Sequence, residues 1–259
     1  MISVPEIVLE RISVSTGRED DLVGLAHRAV DGLAVSPDEV GGVLAATFSL
    51  ADRFPSLAVR AASWLGLPAS TPAFDLQMAC SAYPYAVYLA GRLAADTGKK
   101  VIVIDGDVQS RLVDPTDHAT GAIFSDACTA TLVSVGAGTS TFDFLSRFST
   151  DLSCGETGPI KMDGMKVFNF VATEVSKFLR GFGTDVDWFA PHQANPYMVR
   201  QLAKSLGLSD RLLTIPEDRK NPGSCSVPMA IAESGKKGRV LIAGFGAGYS
   251  ASAGIVRVG

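Results

Sequence analysis

Ala73-Phe74-Asp75-Leu76-Gln77-Met78-Ala79-Cys80-Ser81-Ala82-Tyr83 runs an apolar, strand-like stretch directly into a helix-like one and places a cysteine at the join. Phe74 to Met78 reads as a short strand, and Ser81 to Asp96, rich in Ala, Leu and Tyr, as a helix. A strand passing straight into a helix is the repeating step of an α/β protein. The step recurs outward from this join. Gly42 to Thr47 reads as a buried strand and Pro55 to Leu65 as a helix closed by Gly66. Upstream, Asp20 to Leu33 carries a helical stripe through Leu22, Leu25, Ala29 and Leu33. Downstream, Val101 to Asp105 is apolar nearly throughout, as a central strand is.

The second part of the chain follows the same plan. After a strand at Ala127 to Val135, the stretch Gly136-Ala137-Gly138-Thr139-Ser140 is the weakest in pattern and is expected to separate two halves, 1–138 and 139–259. Val167 to Arg180 reads as a helix. Trp188 to Pro191 ends a strand, and Asn195 to Leu206 is a helix stopped by Gly207. A short helix at Val227 to Glu233 and strands at Arg239 to Phe245 and Ser252 to Val258 complete it. The expectation is an α/β fold of two similar halves with the site between them.

Composition excludes several classes. The chain has 259 residues, 47% hydrophobic and 19% charged, with a net charge of -4, enough apolar content for a large core and no basic footprint for nucleic acid. Its four cysteines, Cys80, Cys128, Cys154 and Cys225, are far apart and suit neither a disulfide framework nor a metal site. Met1 to Glu10 lacks the pattern of a secretory signal, and no apolar run is long enough to cross a membrane. A cytoplasmic protein with reduced thiols is expected.

Three short segments carry chemistry. Cys80 at its strand–helix join sits where a helix N-terminus favours thiolate. His192 lies in Phe189-Ala190-Pro191-His192-Gln193-Ala194-Asn195, and Asn221 precedes Pro222-Gly223-Ser224. Taken singly, these are a buried thiol, a helix-cap histidine and a turn asparagine. Taken together, they supply a nucleophile, a neutral imidazole and an amide donor, the parts of an acyl-transfer site. Gly244-Phe245-Gly246-Ala247-Gly248 follows a strand and reads as a turn whose backbone N–H groups can bind a carbonyl oxygen. His27, in a helix stripe, and His118, in a polar loop, are expected to carry no chemistry.

These segments, with Gly106-Asp107-Val108, Asp114-Pro115-Thr116-Asp117, Phe124-Ser125-Asp126, Met162-Asp163-Gly164 and Asn221 to Pro228, resemble in their order the 3-oxoacyl-(acyl-carrier-protein) synthase III group of the thiolase-like superfamily. The resemblance implies a layered αβαβα fold. Cys80 would take an acyl group from an acyl-CoA or acyl-carrier protein, and a malonyl thioester would then lose CO2 and condense with it. His192 and Asn221 would stabilise the enolate, and the N–H groups of Cys80 and Ala247 would hold the other oxyanion. Phe245 and Gly246 would line the pocket. No cofactor or metal is implied. The family further implies a homodimer in which Phe54, in the loop Leu50 to Pro55, closes the partner's pocket, in fatty-acid or secondary metabolism. An acyltransferase or thioesterase using the same three residues, and a partner subunit of a heterodimer, remain open alternatives.

Relatives in this group begin with a longer segment and carry more chain between Val135 and Asp163, so a more open entrance is expected. Cys225, where relatives have a smaller residue beside the asparagine, is expected to be prone to oxidation.

Overall fold

The structure is a computed structural model and describes residues 1–17, 21–117, 120–156 and 158–259. Asp20, the expected start of the first helix, and His118 lie outside these residues. In chain order the elements are β1 (Ile2–Thr16), α1 (Leu22–Asp31), β2 (Val40–Ala46), α2 (Leu57–Trp64), β3 (Ala73–Leu76), α3 (Ala82–Thr97), β4 (Lys100–Val108) and β5 (Asp126–Ser146). They continue with β6 (Leu152–Ser153), β7 (Lys161–Met162), α4 (Gly164–Phe170), α5 (Ser176–Arg180), β8 (Trp188–Pro191), α6 (Pro196–Leu206), α7 (Ser226–Ser234), β9 (Gly238–Gly246) and β10 (Ser250–Val258).

Eight strands form one hydrogen-bonded sheet in the order β3-β2-β4-β5-β1-β10-β9-β8. Helices α3 and α7 share a single core with residues from both ends of that sheet, including Leu44 and Val103 on one side and Val240 and Ile242 on the other. Helices α1 and α2 cover the opposite face of β2 and β4. The α4–α5 segment and α6 cover the opposite face of β8 and β9. The outcome is the expected layering of helix, sheet, helix, sheet, helix. Apolar burial drives it: a fully buried Leu or Ile in such a core is worth about 2–5 kcal/mol against alanine.

Local chemistry sets the element ends. The Asp21 side chain caps α1 by accepting from Gly24 N at 2.7 Å. Asp75 of β3 reaches the start of α2 and accepts from Leu57 N and Ala58 N at 2.8 and 2.9 Å. Asn195 caps α6, accepting from Met198 N at 2.8 Å, with Pro196 in the first turn and Gly207 closing the helix.

Three expectations are corrected. Residues 136–140 are not a weakly structured boundary: they lie inside β5, a continuous strand of 21 residues that pairs with β1, β4 and β10. The 138/139 division therefore falls within a strand that both halves use. β1, which sequence reasoning left without an element, is a 15-residue strand. It runs antiparallel to β5, and Val8 and Leu9 pair in parallel with Arg257 and Val258 of β10. The helix expected from Val167 to Arg180 begins at Gly164 and contains a π-helical segment, Val171–Val175, between α4 and α5. Among the described residues no helix is long and apolar enough to cross a membrane.

Candidate active site

Cys80 occupies a one-turn 3-10 segment, Ala79–Ser81, between β3 and α3. Ala79 takes φ 43, a left-handed conformation that costs a non-glycine residue about 1–2 kcal/mol. The turn is braced from the other half of the molecule. Ser81 Oγ lies 2.6 Å from Ser250 Oγ, and Ser252 Oγ donates to the Ser81 carbonyl at 2.6 Å. Tyr83 N donates to Ser224 Oγ at 2.7 Å.

His192 follows β8, and its N–H continues the β8–β9 ladder by donating to Ala243 O at 2.7 Å. Its ring meets Phe245 edge-on, with centroids 5.5 Å apart. Nδ1 lies 3.0 Å from the carbonyl oxygen of Gly223 and 3.1 Å from Ser226 Oγ. A carbonyl only accepts, so a neutral ring facing it carries its proton on Nδ1 and leaves Nε2 bare.

Asn221 is pinned on both sides by the loop after β4. Its N–H donates to Ile123 O, and its carbonyl accepts from Ser125 N, each at 3.0 Å. Its side-chain Oδ1 accepts from Gly223 N at 2.9 Å, which fixes the amide and leaves Nδ2 only a long contact of 3.4 Å to Ala194 O.

Cys80, His192 and Asn221, which are 7%, 2% and 6% exposed, line one cavity of about 390 Å³ together with Phe245 and Gly246. Val171 of the π segment lines it too, a common use of such a bulge. A neighbouring cavity of about 210 Å³ shares Asn221 and Ile123 with it and carries Arg200 and Lys220 towards solvent. Phe54 is 84% exposed and lines none of the cavities around Cys80. His27 is on the surface of α1, 3.3 Å from Asp31. No group of three or more metal-ligating side chains occurs among the described residues.

Electrostatics corrects the reading of the thiol. Burial, and then the charge of Asp107, push Cys80 up to about 12, although the backbone N–H groups of Cys80 and Ala247 pull the other way. The resting group is a thiol, because desolvation outweighs the turn's favourable dipoles. Burial pushes His192 down to about 4, so the ring is neutral. Cys225 is fully buried, with Sγ 3.0 Å from Pro222 O, and burial holds its thiol well above the usual value. It lacks the exposure and the thiolate character that oxidation needs.

Sequence reasoning missed two acids on β4. Asp107 is buried, yet its Oδ1 accepts from Thr47 Oγ1, Phe48 N, Ser49 N and Ser49 Oγ at 2.8–3.1 Å, and burial raises it only to about 6. Asp105 is fully buried with no hydrogen bond of ordinary geometry to either oxygen. Burial, then the charge of Asp107, hold it well above the carboxylate range, with only Ser224 opposing. Above the ordinary carboxylate value the unfolded chain ionises while the folded one keeps this proton. Asp105 therefore costs stability increasingly as pH rises towards its folded pKa. Asp105→Asn has no such proton to lose. Its melting temperature relative to the parent should climb steadily as pH rises from about 5 towards about 8. A constant offset across thermal melts at several pH values would contradict a neutral Asp105.

Two glycines let β9 approach the nucleophile. A Cβ on Gly244 would sit 2.8 Å from the Cys80 carbonyl oxygen. One on Gly246, whose φ is +151, would lie 3.0 Å from Cys80 Cβ and 3.4 Å from Sγ. Gly246→Ala should slow acylation of Cys80 about 100-fold by displacing the sulfur, and cost about 1–3 kcal/mol of stability. Stopped-flow acylation beside a denaturant melt separates the two effects, and an unchanged acylation rate would show that the sulfur tolerates the crowding.

Comparison with known proteins agrees with this architecture. Residues 74–151 match the family described as 3-oxoacyl-(acyl-carrier-protein) synthase III, and residues 183–258 match its C-terminal counterpart. The chain is 32% identical to the β-ketoacyl-(acyl-carrier-protein) synthase III of Citrobacter koseri, across 90% of this chain and 81% of that protein. It is 31% identical to that of Shewanella oneidensis, across 96% and 90%. In fold it matches the crystal structure of 3-oxoacyl-(acyl-carrier-protein) synthase from Burkholderia xenovorans with a TM-score of 0.89 at 23% identity, covering 100% of this chain and 95% of that one. The Pseudomonas aeruginosa synthase III gives 0.87 at 23% identity, covering 98% of each chain. The class is that of thiolase-fold condensing enzymes. Within it, the chain belongs to the 3-oxoacyl-(acyl-carrier-protein) synthase III family.

Proposed function

We propose that the protein transfers an acyl group from a thioester to Cys80 and then condenses it, with decarboxylation, onto a malonyl thioester. The observation that carries this reading is the shared cavity of Cys80, His192 and Asn221. A hydrolase or simple acyltransferase needs a nucleophile and a base. A further amide donor on the same cavity wall, that of Asn221, with its Oδ1 already held by Gly223 N and its Nδ2 left for a ligand, suits an enolate formed by decarboxylation.

In the first half-reaction the bare Nε2 of His192 accepts the Cys80 proton as sulfur attacks the thioester carbonyl. The N–H groups of Cys80 and Ala247, which already favour charge at Sγ, hold the oxyanion. The departing thiolate takes the proton back. In the second, a malonyl thioester loses CO2, and the negative charge gathers on its thioester oxygen. Asn221 Nδ2 is ready to donate there. Exchange with water between the half-reactions moves the ring proton from Nδ1 to Nε2, and His192 donates in that tautomer, with the Ser226 hydroxyl turned from Gly223 O, 2.7 Å away, to Nδ1. The carbanion attacks the acyl-cysteine, the C–S bond breaks, and the Cys80 thiolate takes a proton from water, as a group held at about 12 does readily.

Lys220, next to Asn221, and Arg200, which is paired at 3.3 Å with Glu217 on the same wall, suit the phosphates of a coenzyme A or carrier-protein arm. A homodimer is part of the same proposal. β3 ends the sheet with an open edge and an exposed Phe74, and a second copy pairing along it would bring its Phe54 loop across.

The test is to acylate the protein, add malonyl-carrier protein, and look for a 3-oxoacyl thioester and CO2 together. Hydrolysis or transfer of the acyl group with neither product would instead identify an acyltransferase or thioesterase.

A further inference from the structure

A further cavity, of about 370 Å³, shares Cys80, Phe124 and Leu152 with the first but includes neither His192 nor Asn221. The first cavity holds the condensing groups and adjoins the cationic mouth, which leaves this one for the chain of the acyl group on Cys80. Its walls include Phe48, Phe124 and Ile160. Gln109, in the one-turn segment after β4, is also on the wall and is 1% exposed. The other polar residues around this cavity, Gln77, Ser149, Ser153 and Cys154, are all in contact with solvent.

The orientation of the Gln109 amide is settled by its neighbours. Nε2 lies 3.2 Å from the carbonyl oxygens of both Ser125 and Asn221. Its two protons are spent there, and a flipped amide would set Oε1 against two acceptors. Oε1 makes no hydrogen bond to any described residue. An unsubstituted alkyl chain in this cavity would strip water from that oxygen and give nothing back, whereas a hydroxyl on the chain would donate to it.

We propose that Gln109 makes this protein selective for acyl groups that carry a hydroxyl or similar hydrogen-bond donor on the chain. The inference rests on the acyl-Cys80 reading above. Gln109 is a specificity residue, fixed by the same bonds that hold Asn221.

The probes are N-acetylcysteamine thioesters, which carry the end of the arm common to coenzyme A and carrier protein. Butyryl is paired with 3-hydroxybutyryl, and hexanoyl with 5-hydroxyhexanoyl. Adduct formation on Cys80 is followed by intact mass. At least one hydroxylated probe should react about tenfold faster than its partner. Gln109→Met should bring that ratio to about one or below. The ratio compares two substrates on one protein, so partial damage to the variant cancels. Equal or faster reaction of both unsubstituted probes with the parent protein, or a ratio that survives in Gln109→Met, would overturn the assignment of Gln109 while leaving acyl-Cys80 intact. Absence of any adduct would remove the acyl-enzyme reading itself, and this one with it.

Discussion

Cys80→Ala should form no acyl adduct and lose condensation by on the order of 10⁴-fold or more, because no other group at the site can take the acyl chain. The other cysteines offer no substitute. Cys128 and Cys225 are fully buried, and Cys154 is an exposed residue on the wall of the second cavity around Cys80. Cys80→Ser should fare little better. Transfer from a thioester to a hydroxyl yields an ester that holds its acyl group more tightly, and the hydroxyl is harder to deprotonate than a thiol already at about 12. With so little thiolate at rest, reactivity depends on removing the proton during attack. Acylation should therefore be insensitive to pH across the neutral range and respond to the state of His192. Mass spectrometry of the intact protein after a short acyl-thioester pulse reads this directly, and equal labelling of parent and Cys80→Ala would eliminate Cys80 as nucleophile.

His192→Ala and Asn221→Ala should come apart in the two half-reactions. Each removes a donor to the enolate and should lower CO2 release by about 10²–10³-fold. Only the histidine serves the first step as well, so His192→Ala should also slow acylation by about 10²-fold or more, while Asn221→Ala acylates near the parent rate. Acylation at the parent rate by His192→Ala would reject the base role. Undiminished CO2 release by Asn221→Ala would reject the enolate role. The pH response has a definite sign. A ring held down at about 4 is neutral above that value, so both half-reactions should fade as pH falls through about 4. Over the interval from the ordinary value of 6.5 down to about 4, the unfolded chain takes up a proton that the folded one refuses. This histidine therefore withdraws stability as pH falls through that window.

Much of the site was legible because its parts are carried by short contiguous segments. Cys80 at its strand–helix join, the segment around His192 and the turn at Asn221 are each recognisable locally, and the fold only had to bring them to one cavity. The charge state of the thiol was not legible, since a helix terminus shows in the sequence and complete desolvation does not. Gln109 and Asp105 were missed for a related reason. A polar residue at the end of an apolar strand reads as the start of a loop, and only the surrounding layers bury it. β1 was hidden by register shifts between Pro5 and Ile7 and between Leu9 and Arg11, which break the two-residue alternation that would mark a strand. Gly136 to Ser140 look like a linker because they are small and polar. They are strand because β1 pairs with Thr139 and Ser140 and, past a register shift, with Val135, while β10 joins from Thr141 onward.

The bracing of the nucleophile turn also bears on how the protein comes off the ribosome. Ser81 is anchored to Ser250, 169 residues further along the chain, and β1 closes against β10 by pairs such as Val8 with Arg257. Neither contact exists in a nascent chain that ends before β10. The first half can gather its helices and strands during synthesis, but Cys80 stays an ordinary thiol until β10 arrives. Contacts at such sequence separation make for slow late steps in folding. An unfinished or truncated chain therefore lacks the Ser250 and Ser252 contacts that set Cys80 in its turn.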